Sequence, residues 1–202
     1  MEPSVYIVRC APHPQGATRP SSARDAHLAY LRSHADTLRF AGPALAEDGT
    51  KAGSWAIVEG TRADAERFIE HEPFHLAGSF GEVTIQRFRP QVGSRQVDLV
   101  PVAGTALFFC RWDAADGDSV PWDGTDRHFK VLEHGPLTDD AGEHTIGHLL
   151  LLEVRSASGA YRERLDLLTS DPAAMTADRW RFGNALGGGG GPSGPDGRDG
   201  PG

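Results

Sequence analysis

The strongest constraint on this 202-residue chain is internal: it reads as two copies of one pattern. Val5 to Cys10 (VYIVRC) and Thr105 to Cys110 (TALFFC) are β-branched or aromatic runs that both end in cysteine, which predicts a strand at the start of each copy. Arg24 to Leu31 (RDAHLAYL) is answered by Thr125 to Leu132 (TDRHFKVL), with histidine at His27 and His128. Gly42-Pro43 is answered by Gly135-Pro136, Gly53 to Glu59 by Gly147 to Glu153, and Glu72-Pro73 by Asp171-Pro172. The offset is 101 at the histidine, 94 at Gly53 and 99 at the acid-proline, so the copies would differ by one deletion and one insertion, both where loops or helix ends are expected. This predicts a first domain over 1–92, a linker over 93–104, a second domain over 105–186 and a disordered tail over 187–202. The tail, GGGGGPSGPDGRDGPG, has no apolar side chain larger than proline with which to repay the entropy of ordering.

Each copy reads as strand, helix, strand, strand, helix, strand, the split βαβ order of an α+β ferredoxin-like domain. In the first copy Leu28, Leu31, Ala35 and Leu38 fall at helical spacing, which predicts a helix from about Ala23 to Phe40, capped by Ser22 and ended by Ala41-Gly42-Pro43. Ser54 to Glu59 reads as a strand. Thr61 caps a second helix that turns Ala65, Phe68 and Ile69 inward and stops at Pro73. A sheet of this order carries helices on one face only. The bare face of one copy can be covered by that of the other, so the expected architecture is two ferredoxin-like repeats packed as a pseudo-dimeric α+β barrel within one chain, existing as a monomer or homodimer.

Composition narrows the function. The formal net charge is -8 with only two lysines, which argues against nucleic acid as a partner, because sequence-independent affinity needs clustered cations. No run approaches 18 apolar residues and the N-terminal residues carry no signal-peptide pattern, so the expected setting is cytoplasmic, with no membrane partner. Cys10 and Cys110 are expected to be core residues, and neither His71 with His75 nor His144 with His148 is accompanied by a third metal ligand, so no metal is expected. Trp55, Trp112, Trp122 and Trp180 read as core or cleft walls, and Asp113 to Asp123 as an acidic surface loop or lid. Arg9 and Arg24 are candidates for holding an anionic group of a ligand, since a guanidinium suits a carboxylate or phenolate.

The first copy resembles the YCII-related family of small ferredoxin-like domains, through RDAHLAYL (24–31), Ala41-Gly42-Pro43 with Asp48-Gly49, and EPFHLAG (72–78). The second copy matches it through Asp126 to Phe129, Gly135-Pro136 and Asp171-Pro172. The resemblance implies an acid-base site made by a histidine on the first helix and an acid in an acid-proline pair: His27 with Glu72, and His128 with Asp171. Glutamate stands at 72 where the family pattern has aspartate. A carboxylate beside an imidazole fixes which ring nitrogen carries the proton and leaves the other free to exchange one with a substrate. Asp25, Arg24, Arg9 and His75 are then expected to line the site. The reading that follows is a cofactor-independent lyase, isomerase or cyclase acting by proton transfer on a small aromatic or polyketide-like molecule. The excess of Arg over Lys, 18 to 2, with abundant Ala, Gly and Pro suggests a GC-rich bacterial genome and a place in specialised metabolism. The alternative is a ligand-binding or assembly module in which the histidines only complete a polar network.

Overall fold

The computed structural model describes residues 4–13, 21–46, 48–100, 102, 105–113, 129–155 and 175–181. The start of the first predicted helix of the second copy, its second predicted helix, most of the acidic loop and the 187–202 tail lie outside the described residues. Among the described residues eight strands form a mostly antiparallel sheet that closes on itself: β1 (Val5–Pro12), β2 (Leu38–Leu45), β3 (Lys51–Glu59), β4 (Phe80–Phe88), β5 (Thr105–Asp113), β6 (Phe129–Thr138), β7 (Thr145–Arg155) and β8 (Met175–Trp180). The order round the barrel is β1-β3-β2-β8-β5-β7-β6-β4, with β4 closing onto β1. Within each half the first strand therefore lies between the third and the fourth, with the second strand at the edge.

Helices α1 (Ser21–Ser33), α2 (Arg62–Glu70) and the single turn α3 (Pro73–Leu76) cover the outer face of the first half. Alternation along β1 divides the burial. Tyr6, Val8 and Cys10 pack outward against Leu31, Ala65, Phe68 and Phe74, whereas Val5 and Ile7 point into the barrel. The interior is aromatic at its centre. Trp55 stacks on Phe109 (4.7 Å between centroids, 7° between planes), and Phe109 and Phe40 each meet Trp180 edge-on. A third cluster, containing Phe108, Cys110, Leu150 and Leu152, lies on the outer face of β5 and β7.

The first predicted helix is corrected at both ends. It starts at Ser21, so Ser22 lies inside its first turn, and it stops at Ser33; Leu38 to Phe40 are the start of β2, and Gly42-Pro43 sit inside that strand. Leu38 is buried as expected, but from a strand, because spacing alone does not separate a helical face from a turn that leads into extended chain. Pro43 is tolerated beside a register shift between β2 and β3. The same correction applies to the second half: Phe129 to Leu132 open β6, so the residues after His128 do not repeat the helical setting of His27. The Gly-Pro and strand blocks do occupy equivalent registers, Gly42 opposite Trp55 and Gly135 opposite Leu149. Gly53 and Gly147 also share a constraint, since a Cβ there would lie 2.4 Å from the Cys10 carbonyl oxygen and 2.7 Å from that of Trp112.

The chain between the halves is held by a buried carboxylate. Glu133 on β6, fully buried, accepts the backbone N–H groups of Val92 (2.9 Å), Gly93 (3.1 Å) and His134 (3.1 Å) and pairs with Arg39 of β2 (2.7 Å). Gln96 in the following 3-10 turn (Gln96–Asp98) accepts the Ala41 N–H through its side-chain oxygen. Removing one member of a buried ion pair costs about 3–5 kcal/mol, so Glu133→Leu should destabilise the protein by that order in urea unfolding. The double variant Arg39→Met/Glu133→Leu should recover only part of the loss, because three backbone donors remain without their acceptor. Full recovery would show that the Arg39 pairing, not the linker contacts, is what Glu133 supplies.

Candidate functional site

The first half brings His27 and Glu72 together on its helical face. Glu72 is the N-cap of α3: its Oε2 accepts the His75 N–H at 2.8 Å, and Pro73 at the first helical position gives up a donor that the turn does not use. The α2 helix before it is fixed at its start by a capping box, in which the Thr61 side chain accepts the Asp64 N–H and the Asp64 side chain accepts the Thr61 N–H. With one oxygen tied to the cap, the other Glu72 oxygen accepts from His27 Nδ1 at 2.5 Å. The extra methylene of glutamate therefore does not prevent the contact. Glu72 is buried, while the His27 side chain keeps 19% exposure, and the Phe74 ring lies against the imidazole at 4.3 Å. Chemically this is an imidazole whose Nδ1–H is committed to a carboxylate, leaving Nε2 with no protein partner among the described residues.

The other expected site residues divide. His75 contributes its backbone N–H to Glu72, and its Nδ1 is buried without a hydrogen-bond partner among the described residues. Arg24 and Asp25 are exposed on α1; Arg24, one turn before His27, shares its face, whereas Asp25, two residues before, does not. Arg9 is not part of this site. It lines the inner cleft of the barrel with Ile7 and Trp55, across the sheet from His27. His128 and Asp171 lie outside the described residues. Trp122 does too, while Trp55 and Trp180 are interior and Cys10 and Cys110 are buried. His71 is exposed, with Nδ1 on the Arg67 carbonyl, and among the described residues no three His, Cys, Asp or Glu side chains gather as metal ligands.

Two residues at the site escaped the sequence reading. Tyr30, three after His27 on the same helix face, donates its hydroxyl to the Phe68 carbonyl at 2.8 Å, and Phe74 walls the imidazole. The His27-to-Tyr30 spacing was the available signal. Burial, and then the negative charge of Glu72, raise the Tyr30 hydroxyl above its ordinary value of 10.0. A raised acid holds its proton more tightly when folded, so the stability it contributes is complete below the unfolded value and is lost as pH rises through the folded one. Tyr30→Phe should thus cost about 1 kcal/mol near neutrality, from the lost hydrogen bond, and the gap to the parent should shrink above about pH 10. Urea unfolding at both ends of that range measures it; a gap that does not change would sink the electrostatic account.

No curated protein sequence matches this chain significantly. Solved structures resemble it, three of them as follows. One is a 5-chloro-2-hydroxyhydroquinone dehydrochlorinase from Burkholderia phenoliruptrix in complex with 2,5-dihydroxybenzoquinone, 24% identical over 45% of this chain and 98% of that one, TM-score 0.39. A provisionally named monooxygenase from Lactobacillus acidophilus is 7% identical over 90% of this chain and 94% of its own, TM-score 0.47. A provisionally named chlorite dismutase is 10% identical over 91% and 96%, TM-score 0.48. At these similarities nothing about this chain's chemistry follows from them. The family comparison is confined to the half that carries the dyad and spans β1 through β4: residues 5–89 match the model of the YCII-related domain.

Proposed function

We propose that this protein is an enzyme that moves protons without a cofactor, a lyase, isomerase or cyclase acting on a small aromatic or polyketide-like molecule. The observation that carries the reading is the 2.5 Å contact between His27 Nδ1 and the buried Glu72 carboxylate, on a ring that still reaches solvent. Glu72 receives the Nδ1 proton in a hydrogen bond and neutralises the imidazolium when it forms. Nε2 takes a proton from an acidic C–H or O–H of the substrate. The electron pair left behind forms a new double bond or attacks within the molecule. The imidazolium then returns the proton to a departing group or to another atom, so the cycle ends with His27 neutral. The Phe74 ring beside the imidazole favours a planar, largely apolar substrate, and Arg24, exposed one turn before His27, would meet an anionic substituent.

We further propose that residues 105–186 are a diverged copy of the same βαββαβ unit, with its own pocket at His128 and Asp171. The equivalent strand order and Gly-Pro registers of the two halves support the duplication. The strand at Phe129 argues that any second pocket is built differently around its histidine.

The test is a panel of small phenolic and β-dicarbonyl compounds, followed by NMR for deuterium uptake from D2O or loss of a substituent. His27→Ala should lower turnover by roughly two powers of ten or more while the melting curve stays close to the parent. Glu72→Gln should lower it less, because the imidazole that transfers the proton remains, and His128→Ala less again. A His27→Ala protein that is stable and fully active would refute the assignment. Binding without turnover throughout the panel, with His27→Ala losing only stability, would support the non-catalytic ligand-binding reading instead.

A further inference from the structure

The geometry points to a second ligand site, at the mouth of the barrel interior, that binds the head group of a small monoanionic carboxylate between Arg9 and Arg111. Arg9 comes from β1 and Arg111 from β5, strands on opposite sides of the ring, and both line one narrow cleft with Trp55, Gln86 and Leu149. Arg9 is not placed there as a loose surface charge. Asp178 Oδ2 accepts from the Trp55 indole Nε1 at 3.0 Å and from Arg9 Nε at 3.4 Å, and the Arg9 guanidinium lies 5.6 Å from the centre of the Trp55 ring. Trp55 is itself fixed by stacking on Phe109. Asp178 and Trp55 thus hold Arg9 by one edge and one face, leaving the terminal nitrogens of its fork without a hydrogen-bonding partner among the described residues. Among the described residues the Arg111 guanidinium meets only Asp113, at 3.6 Å, and that carboxylate is 91% exposed, so water screens the pair strongly.

The balance of charge and space selects the ligand. Two guanidiniums face the cleft; of their carboxylate partners Asp178 sits at its side and Asp113 is turned to solvent, so the positive charge inside the cleft is only partly met and favours one added negative charge. The cleft has room for about one water molecule. One oxygen of a carboxylate can take that place against the two forks, with the rest of the head group and the body of the ligand at the open mouth. Because β1 separates this cleft from the helical face, a ligand here does not contact His27. The site is additional to the proposed catalytic one.

Benzoate, with acetate and inorganic phosphate as comparators, tests this on the full-length protein by following the Trp55 indole N–H in nitrogen-edited NMR, assigned with Trp55→Phe. Benzoate and acetate should move that resonance saturably in the millimolar range, and phosphate should bind more weakly. Arg9→Met and Arg111→Met should each weaken benzoate by about tenfold or more, the usual worth of a hydrogen bond to a charged group. Arg9→Lys and Arg111→Lys, which keep charge but lose the fork, should weaken it less and serve where a Met variant unfolds. Asp178→Asn should narrow the preference over phosphate, whereas His27→Ala should leave benzoate binding unchanged. Absence of a saturable shift, or equal affinity in the arginine variants, would overturn the site. Loss of binding in His27→Ala would place the anion on the helical face and overturn it as well.

Discussion

Closure of the sheet is the constraint on which the other features depend. Two of the inter-strand seams are very short: β2 meets β8 at Ala44 with Trp180 and Leu45 with Arg179, and β4 meets β6 at Arg87 with Thr138 and Phe88 with Leu137. Such brief ladders supply few hydrogen bonds, so the halves are held chiefly by what they bury together. Trp55 and Phe40 from one half interlock with Phe109 and Trp180 from the other, and each aromatic brings a large apolar area into the interior. The inward alternation of Val5 and Ile7 follows from that requirement, and the outward set of Tyr6, Val8 and Cys10 is then free to seat the helices.

The linker takes part in the same closure. Arg89 and Gln91 donate backbone N–H groups to the Pro136 and His134 carbonyls, so the chain leaving β4 continues beside β6 before it turns away. At that point a charged group is buried, which is costly unless every lone pair is used. Glu133 meets the condition with three backbone donors and Arg39. The close approach explains a glycine as well: a Cβ at Gly135 would lie 1.9 Å from the Arg89 carbonyl oxygen.

Functionally, the sheet separates two polar sites. On the helical face, the one-turn α3 positions Glu72 through its cap, and α1 carries His27 to it, so the dyad depends on two helices docking correctly against β1 and β4. On the inner face, Arg9 is set by Asp178 from the other half and could not be held in that orientation by the first half alone. Adjacent positions in β1 therefore serve different chemistry, because side chains at odd and even positions point to opposite sides of the sheet.

The sequence by itself determined β1 and β3, the capped helix at Thr61 and the inward Phe68 and Ile69, and the family resemblance added the expected pairing of His27 with an acid-proline motif. These rest on local rules: caps, proline, alternation and a short motif act within a few residues. It misplaced the end of the first helix, because Leu38 satisfies a helical spacing and a strand start equally well, and it put Phe129 to Leu132 in a helix by analogy with that segment. It also grouped Arg9 with His27. Only the tertiary structure decided that issue, since which face of β1 looks into the barrel is set by the aromatic interior that the second half supplies. Tyr30 and Glu133 belong to the same class: the partners that give them a role, Phe68 and Glu72 for one and Val92, Gly93 and Arg39 for the other, lie 38 or more residues away in the chain, and only packing brings them into contact.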